Sequence, residues 1–275
     1  MGEAKRRKAE IEQLKRLSPE AAARRLDEQR VARGIDPENL AAIGALARLL
    51  RQEFEEARTT GTIDAPVKLF QTTINTMIQG LSDVPVACKK GCSHCCHTWV
   101  SATAPEILFI AKIITTRGDQ VIQKIALAHE HTKDYDFDTR AEHPIPCPLL
   151  EQDLCSIYDA RPKTCRLAAS ADAEICARAY HNITNEDVPT PLMHLYGRAA
   201  LAVALSSALR KVGLPHHAYE FNAGLHRALT TPDAERRWLA NDDIFRDVRL
   251  DPDDVFAQPQ AEQLYEQAFA NEQSL

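Results

Sequence analysis

The stretch "CKKGCSHCCHTWVSATAPEILFIAKIITTRG", residues 88–118, joins two contrasting kinds of sequence. Its first ten residues hold four cysteines and two histidines, including the adjacent pair Cys95-Cys96. The remainder reads as a helix with its start signal. In "TAPE", Thr103 can accept from the amide three residues on while Glu106 reaches back, which is a capping box. Ile107, Leu108, Ile110, Ala111 and Ile114 then form an apolar stripe ending before Gly118.

Outward from this stretch, helix punctuation is frequent and strand alternation scarce. Ser18-Pro19 and Asp36-Pro37 each place an N-cap before a proline at the first helical position. Leu40, Ile43, Leu46, Leu49 and Leu50 recur at helical spacing. Asp64 starts a further predicted helix, with Val67, Phe70, Ile74 and Ile78 on one side and its end near Gly80. Residues 132–147, polar and Pro-containing, read as a loop. Pro191 opens a long helix carrying Leu195, Ala199, Ala202 and Leu205, stopped by Gly213 and Pro215. Thr231-Pro232-Asp233 caps a short helix that includes Trp238, and "AEQLYEQAF" near the end reads as a terminal helix. There is no strand–helix alternation and no Gly-rich phosphate loop.

The expected fold is therefore mostly α, with helices packed around a loop-rich, metal-bound cysteine core. Three parts are expected: a basic helical arm over 1–35, a helical cysteine-cluster domain over 36–245 with its motif core at 88–176, and an acidic linker with a C-terminal helix over 246–275.

At 275 residues and 44% apolar composition the chain can bury a core unaided. No apolar run reaches the roughly 18–20 residues a bilayer span requires, and "AALAVALSSAL" (199–209) reads as a buried helix. The N-terminal segment is charged from its third residue and lacks the apolar centre of a signal peptide. The expected compartment is cytoplasmic, with no membrane partner, so thiols stay reduced. Dense cysteines there point to metal ligation or reactivity and away from disulfides. The net charge is −6, yet residues 1–33 carry ten Lys or Arg against six Asp or Glu. The arm reads as a solvated helix of mixed charge, and the acidic remainder argues against nucleic acid as the main partner.

Cys88, Cys92, Cys95 and Cys96 are spaced C-x3-C-x2-C-C, close enough for one loop to aim several thiolates at a common point. Adjacent side chains diverge when a loop is extended, so Cys95 and Cys96 are expected to serve two metals, one polynuclear cluster, or to leave one thiol spare. "CPLLEQDLCSIYDARPKTCR" adds Cys147, Cys155 and Cys165, and Cys176 follows eleven residues later. Two distant cysteine groups suit a closed metal core whose loading couples to folding. Lys89, Lys90, Arg161, Lys163 and Arg166 lie beside the cysteines and can offset thiolate charge.

The order C-x3-C-x2-CC, an apolar helix after "TAPE", then CPLL…C-S-I-Y-x-x-R-P-x-x-C-R resembles the YkgJ-type cysteine-cluster proteins, which carry the zinc- or iron-chelating CxxCxxCC domain. The resemblance covers residues 88 to about 166. It implies a metal-chelating domain on Cys88, Cys92, Cys95, Cys96, Cys147, Cys155 and Cys165. Tyr158, Arg161, Pro162 and Arg166 match its second motif, and Cys176 lies outside it. The implied cofactor is an iron–sulfur cluster or zinc, with iron favoured because the adjacent pair suits a polynuclear site.

C-x3-C-x2-C is also the spacing of radical S-adenosylmethionine enzymes, but this chain lacks their β/α alternation. Related cysteine-cluster domains in some protein lysine methylases keep a redox or methyl-transfer enzyme open as an alternative. A zinc-stapled adaptor with an unidentified protein partner is another. His94 and His97 read as neighbours of the sulfurs more than as ligands, and His216-His217 as polar surface. Trp99 and Tyr158 are expected to pack against the cysteines. No residues present themselves as a catalytic set.

Overall fold

The computed structural model describes residues 37–82, 84–181 and 186–252. The residues of 1–35, including Ser18-Pro19, and the predicted terminal helix in "AEQLYEQAF" lie outside the described residues. Residues 43–275 group as one compact unit; of the preceding unit, 1–42, the described part is the start of the first helix.

About 60% of the structure is helical, so the protein is mostly α. Helices α1 (Pro37–Thr60) and α2 (Asp64–Gly80) begin where Pro37 and Asp64 predict. They are separated by a turn at Gly61, whose φ of +76° favours glycine. Next come α3 (Ala104–Thr115), α4 (Asp119–Thr132), α5 (Phe137–Glu142), α6 (Lys163–Arg166) and α7 (Ala173–Tyr180). The set ends with α8 (Leu192–Lys211), α9 (Phe221–Thr230) and α10 (Ala234–Leu239).

One apolar core gathers Leu50 and Phe54 of α1, Val67, Phe70 and Ile74 of α2, and the stripe Ile107, Leu108, Ile110 and Ile114 of α3. Leu201, Leu205 and Leu209 of α8 and Leu225 of α9 complete it from the other side. Trp238 is fully buried and meets Phe54 edge-on, with ring centroids 6.1 Å apart. At Gly224 a Cβ would come within 2.6 Å of Ile107 Cδ1, so α9 packs on α3 at a distance a side chain would block. Among the α1 residues whose side chains are described, Leu49 departs from the expected register. Leu49 is 51% exposed, and Ala47 takes the buried place beside Leu50. In α8, Ala199 is exposed and the buried run starts at Leu201.

Two elements position the cysteine loops. Strand β1 (Ser101–Thr103) pairs antiparallel with β4 (Ala218–Glu220), matching Ser101 to Glu220 and Thr103 to Ala218. Strands β2 (Leu150–Glu151) and β3 (Leu154–Cys155) form a hairpin, its turn built on Gln152 and Asp153 at positive φ. Strands this short carry no alternation to read in the sequence. Residues 132–147, expected to be loop, contain α5, because Asp136 accepts from the Thr139 N–H at 2.8 Å and caps a turn there.

Helix α8 is longer than its apolar run and is long and apolar enough, by length and composition, to cross a membrane. Yet 56% of its most apolar window is buried inside the protein. The helix stops before Gly213, at φ +74°.

Candidate metal centre

The site begins at the capping box. Thr103 N–H donates to Glu106 Oε2 at 3.0 Å, and the Thr103 hydroxyl donates to the same oxygen at 2.8 Å. The other carboxylate oxygen accepts from the Lys163 N–H at 2.7 Å. Lys163 opens α6, which carries Cys165. One buried carboxylate thus starts the helix after the first cysteine group and fastens the helix that holds a cysteine of the second.

Between Ser93 and Thr98 the chain winds into a 3₁₀ turn over His94–His97, "HCCH". With three residues per turn, residues i and i+3, here His94 and His97, lie on the same side. The Cys95 and Cys96 thiols lie close enough for Cys96 to raise the Cys95 pKa. The turn is welded to the second cysteine segment by main-chain bonds, Cys147 N–H to the Cys96 carbonyl at 2.7 Å and Ile145 N–H to the His97 carbonyl at 3.0 Å. Arg140, 2% exposed, donates to the carbonyls of His97, His143 and Ile145 and so clamps the same joint. Ser93 Oγ donates to Asp153 Oδ1 in the β2–β3 turn at 2.8 Å.

On the other flank, Ala87 N–H donates to the Ser170 carbonyl at 2.7 Å, and Ser170 N–H donates to Cys88 Sγ at 3.3 Å. Asp172 then caps α7 through the amides of Glu174 and Ile175. The helix it starts places Cys176, 6% exposed, toward the turn. Sequence reasoning left Cys176 outside the motif. Its signal was there in Asp172, an N-cap four residues ahead that sets a helix under it.

All eight cysteines are free thiols. Their mutual electrostatics define a continuous array. Cys88 and Cys176 each feel the charges of Cys92 and Cys95. Cys165 feels Cys147, Cys95 and Cys155. Cys95 is thus felt from both flanks, with Cys96 beside it. Burial pushes the Cys147 thiol up to about 12, against a hydrogen bond from the Leu149 amide that favours its thiolate. Burial likewise raises Cys88, Cys155, Cys165 and Cys176. Cys95 is raised first by Cys96 and then by burial. Such thiols stay protonated at neutral pH until a cation takes the place of the proton.

The surroundings are arranged for the thiolate form. Amides of Ser170, Leu149 and Ile157 point at Cys88, Cys147 and Cys155 respectively, the arrangement that tunes thiolate ligands. The Arg161 guanidinium favours ionisation of Cys95, Cys155 and Cys165. Tyr180, unmarked in the sequence, feels Cys95, Cys176 and Cys88, and burial raises its phenol to about 12.

The expected neighbours of the cysteines differ in burial. Lys163 is buried, its Nζ 3.4 Å from the Arg198 carbonyl, while Lys89 and Lys90 are exposed. Trp99 is 7% exposed and packs on Phe137. Tyr158 is 39% exposed, with the Arg161 guanidinium 3.8 Å above its ring. His216 and His217 stack on each other at 4.5 Å. The cysteines lie at the edge of the apolar core, where Cys147 and Cys155 touch it.

Among the described residues, no three His, Cys, Asp or Glu side chains already stand as a closed ligand set. What the structure holds is a string of eight sulfurs with amide and arginine support. That donor chemistry fits zinc or iron. Two clefts, one lined by Arg227, Arg237 and Asp242 and the other by Lys112 and Glu235, contain no cysteine.

Comparison with curated proteins and with solved structures found no match. Residues 87–187 match a family model, CxxCxxCC, described as "Putative zinc- or iron-chelating domain". That span includes all eight cysteines, Cys176 among them. Over residues 87–187, less than half of its length, the chain is thus similar to the YkgJ-type CxxCxxCC domain.

Proposed function

We propose that this protein is a metal-binding protein whose cysteine array holds a polynuclear centre, an iron–sulfur cluster or zinc, with iron favoured. Its ligands are drawn from Cys88, Cys92, Cys95, Cys96, Cys147, Cys155 and Cys165, and Cys176 joins them. The supporting observation is the position of Cys95, within electrostatic reach of both flanks. A single tetrahedral ion takes four ligands, and eight neighbouring thiols exceed that need. When bound, the metal supplies a positive charge that stabilises thiolates the protein otherwise holds neutral. The setting proposed is cytoplasmic, where thiols remain reduced. A catalytic or adaptor role has no comparable observation behind it among the described residues.

The test is substitution. Cys92→Ser, Cys165→Ser and Cys176→Ser, one from each segment of the array, are each expected to lose about half or more of the bound metal. Elemental analysis of protein purified without oxygen reads this directly. Full metal content and unchanged stability in Cys92→Ser and Cys165→Ser would sink the proposal. Full content in Cys176→Ser alone would remove the eighth ligand from it.

A further inference from the structure

Outside the cysteine segments, helices α4 and α9 meet through a pair of histidines. His129 lies in the last turn of α4 and His226 midway along α9. Their rings stack, with centroids 4.4 Å apart and planes 20° from parallel. The first half of α4 is anchored by apolar side chains, with Ile125 fully buried and Val121 and Ile122 packed against the core. In its second half Leu127 is 72% exposed, and the Thr132 hydroxyl donates back to the Ala128 carbonyl of the same helix. The histidine stack is therefore the main joint between the last turn of α4 and α9.

The stack suits neutral rings only. His129 Nδ1 is buried and has no hydrogen-bond partner among the described residues. An imidazolium carries a hydrogen on both nitrogens, so charging His129 would leave a buried donor unpaired. Charging both rings would set like charges against each other at the 4.4 Å spacing of the stack. Fixed charges nearby add to this. Lys133 on α4 and Arg227 on α9 oppose a further cation, while Glu130 favours one but is paired with Lys133 at 2.5 Å. On α3, Glu106 is bonded to Thr103 and Lys163, and Lys112 to Asp64 and Glu235, so both are engaged elsewhere. From the segment after α10, Asp247 lies 3.9 Å from Arg227, and the Arg249 guanidinium donates to the Tyr135 carbonyl. Burial first, and then the neighbouring cationic groups, hold both imidazoles below their ordinary range.

We propose that the His129–His226 stack is an acid-sensitive latch, whose protonation releases the last turn of α4, and the chain running on to α5, from α9. The closed rings bind fewer protons than the open ones. The latch is therefore stable above the ordinary imidazole value of about 6.5 and weakens as pH falls below it. Residues 133–136 are all that separate α4 from α5, which carries Arg140, the clamp on the cysteine turn. Opening at the histidines thus acts on the chain that leads into that clamp. The proposal goes beyond the cysteine reading and rests on none of it.

The test is hydrogen exchange of holoprotein purified without oxygen, at about pH 7.5 and about pH 5.5, corrected for the pH dependence of exchange itself. Metal content is measured at both. Amides of 127–136 are expected to exchange about tenfold or more faster at the lower pH, the order that like charges at contact distance produce, while α8 stays protected. In the double variant His129→Phe with His226→Phe, which keeps an aromatic stack that takes no proton, the acceleration is expected to disappear. Imidazole NMR of the unsubstituted protein reads the same claim without a variant, both rings titrating below the ordinary value. The proposal is overturned by equal exchange at the two pH values, by the same acceleration in the double variant, or by both rings titrating at the ordinary value. Acid loss of metal would appear separately, as faster exchange across 143–172 in both proteins, and would leave the expected difference between them at 127–136.

Discussion

Removing the metal from holoprotein with a chelator at neutral pH is expected to lower Tm by roughly 10–20 °C. Structural metals of this type contribute on the order of 10 kcal/mol to their own folding unit, of which about 5 kcal/mol is a conservative share to be felt globally. A unit of this size shifts about 2–4 °C per kcal/mol. The loss should be uneven. The core of α1, α2, α3, α8 and α9 is built from apolar residues that need no metal. Residues 143–172 have little regular structure, only the two-residue strands β2 and β3, a short 3₁₀ turn and the four-residue α6. Without metal their buried thiols revert to neutral groups, and that span is held to the rest mainly by single hydrogen bonds such as those at Cys147, Asp153, Lys163 and Ser170. Hydrogen exchange should therefore show fast amides across 88–100 and 143–180 while α3 and α8 stay protected, and far-UV dichroism should fall only modestly. Uniform loss of protection, or no change in Tm, would contradict this division.

The second large effect is expected at Glu106. Truncation by Glu106→Ala removes the acceptor of three hydrogen bonds, two of them from main-chain amides, inside a region where Glu106 is 6% exposed. Leaving the Thr103 and Lys163 amides unpaired in the interior costs about 1–3 kcal/mol each, so a total of about 3–5 kcal/mol is expected. Urea unfolding of the holoprotein measures it. Glu106→Gln keeps one carbonyl oxygen but turns an NH₂ group toward a donor, and should fall between the two. Because the Lys163 bond also seats α6, Glu106→Ala should lower metal content through Cys165, which a cap acting on α3 alone would not do. A loss under about 1 kcal/mol with metal intact would show that the carboxylate does not couple the two motifs.

What the sequence disclosed and what it withheld divide along physical lines. The start of α3 was legible because Thr103 and Glu106 are three residues apart, and capping is a local interaction. The Lys163 amide, the other partner of Glu106, is 57 residues away, and nothing local announces it. The starts of α1, α2 and α10 were legible for the same reason as α3, each carrying its own Pro, Asp or Thr-Pro-Asp signal. Strands β1 and β4 were not, since three residues show no alternation and their pairing spans more than a hundred positions. The position of Leu49 went astray because an apolar residue at helical spacing can sit on either border of the buried stripe, and packing chose Ala47. Within the site, the cysteine pattern revealed the ligand candidates but not their arrangement. Nothing in the pattern announces the 3₁₀ turn that carries Cys95 and Cys96. Cys176 was left outside the motif because its placement depends on α7, whose only local mark is the Asp172 cap.

The central claim is a polynuclear metal centre in the cysteine array, and the most direct measurement is the metal content of oxygen-free protein by elemental mass spectrometry. Eight thiols imply about two or more metal atoms per chain, as two zinc ions of four ligands each or the several irons of a cluster. Iron in that amount is the favoured result, and zinc in that amount supports the centre while changing its chemistry. Protein that carries neither metal, or that folds with full stability and all eight thiols free to titrate, would contradict the account.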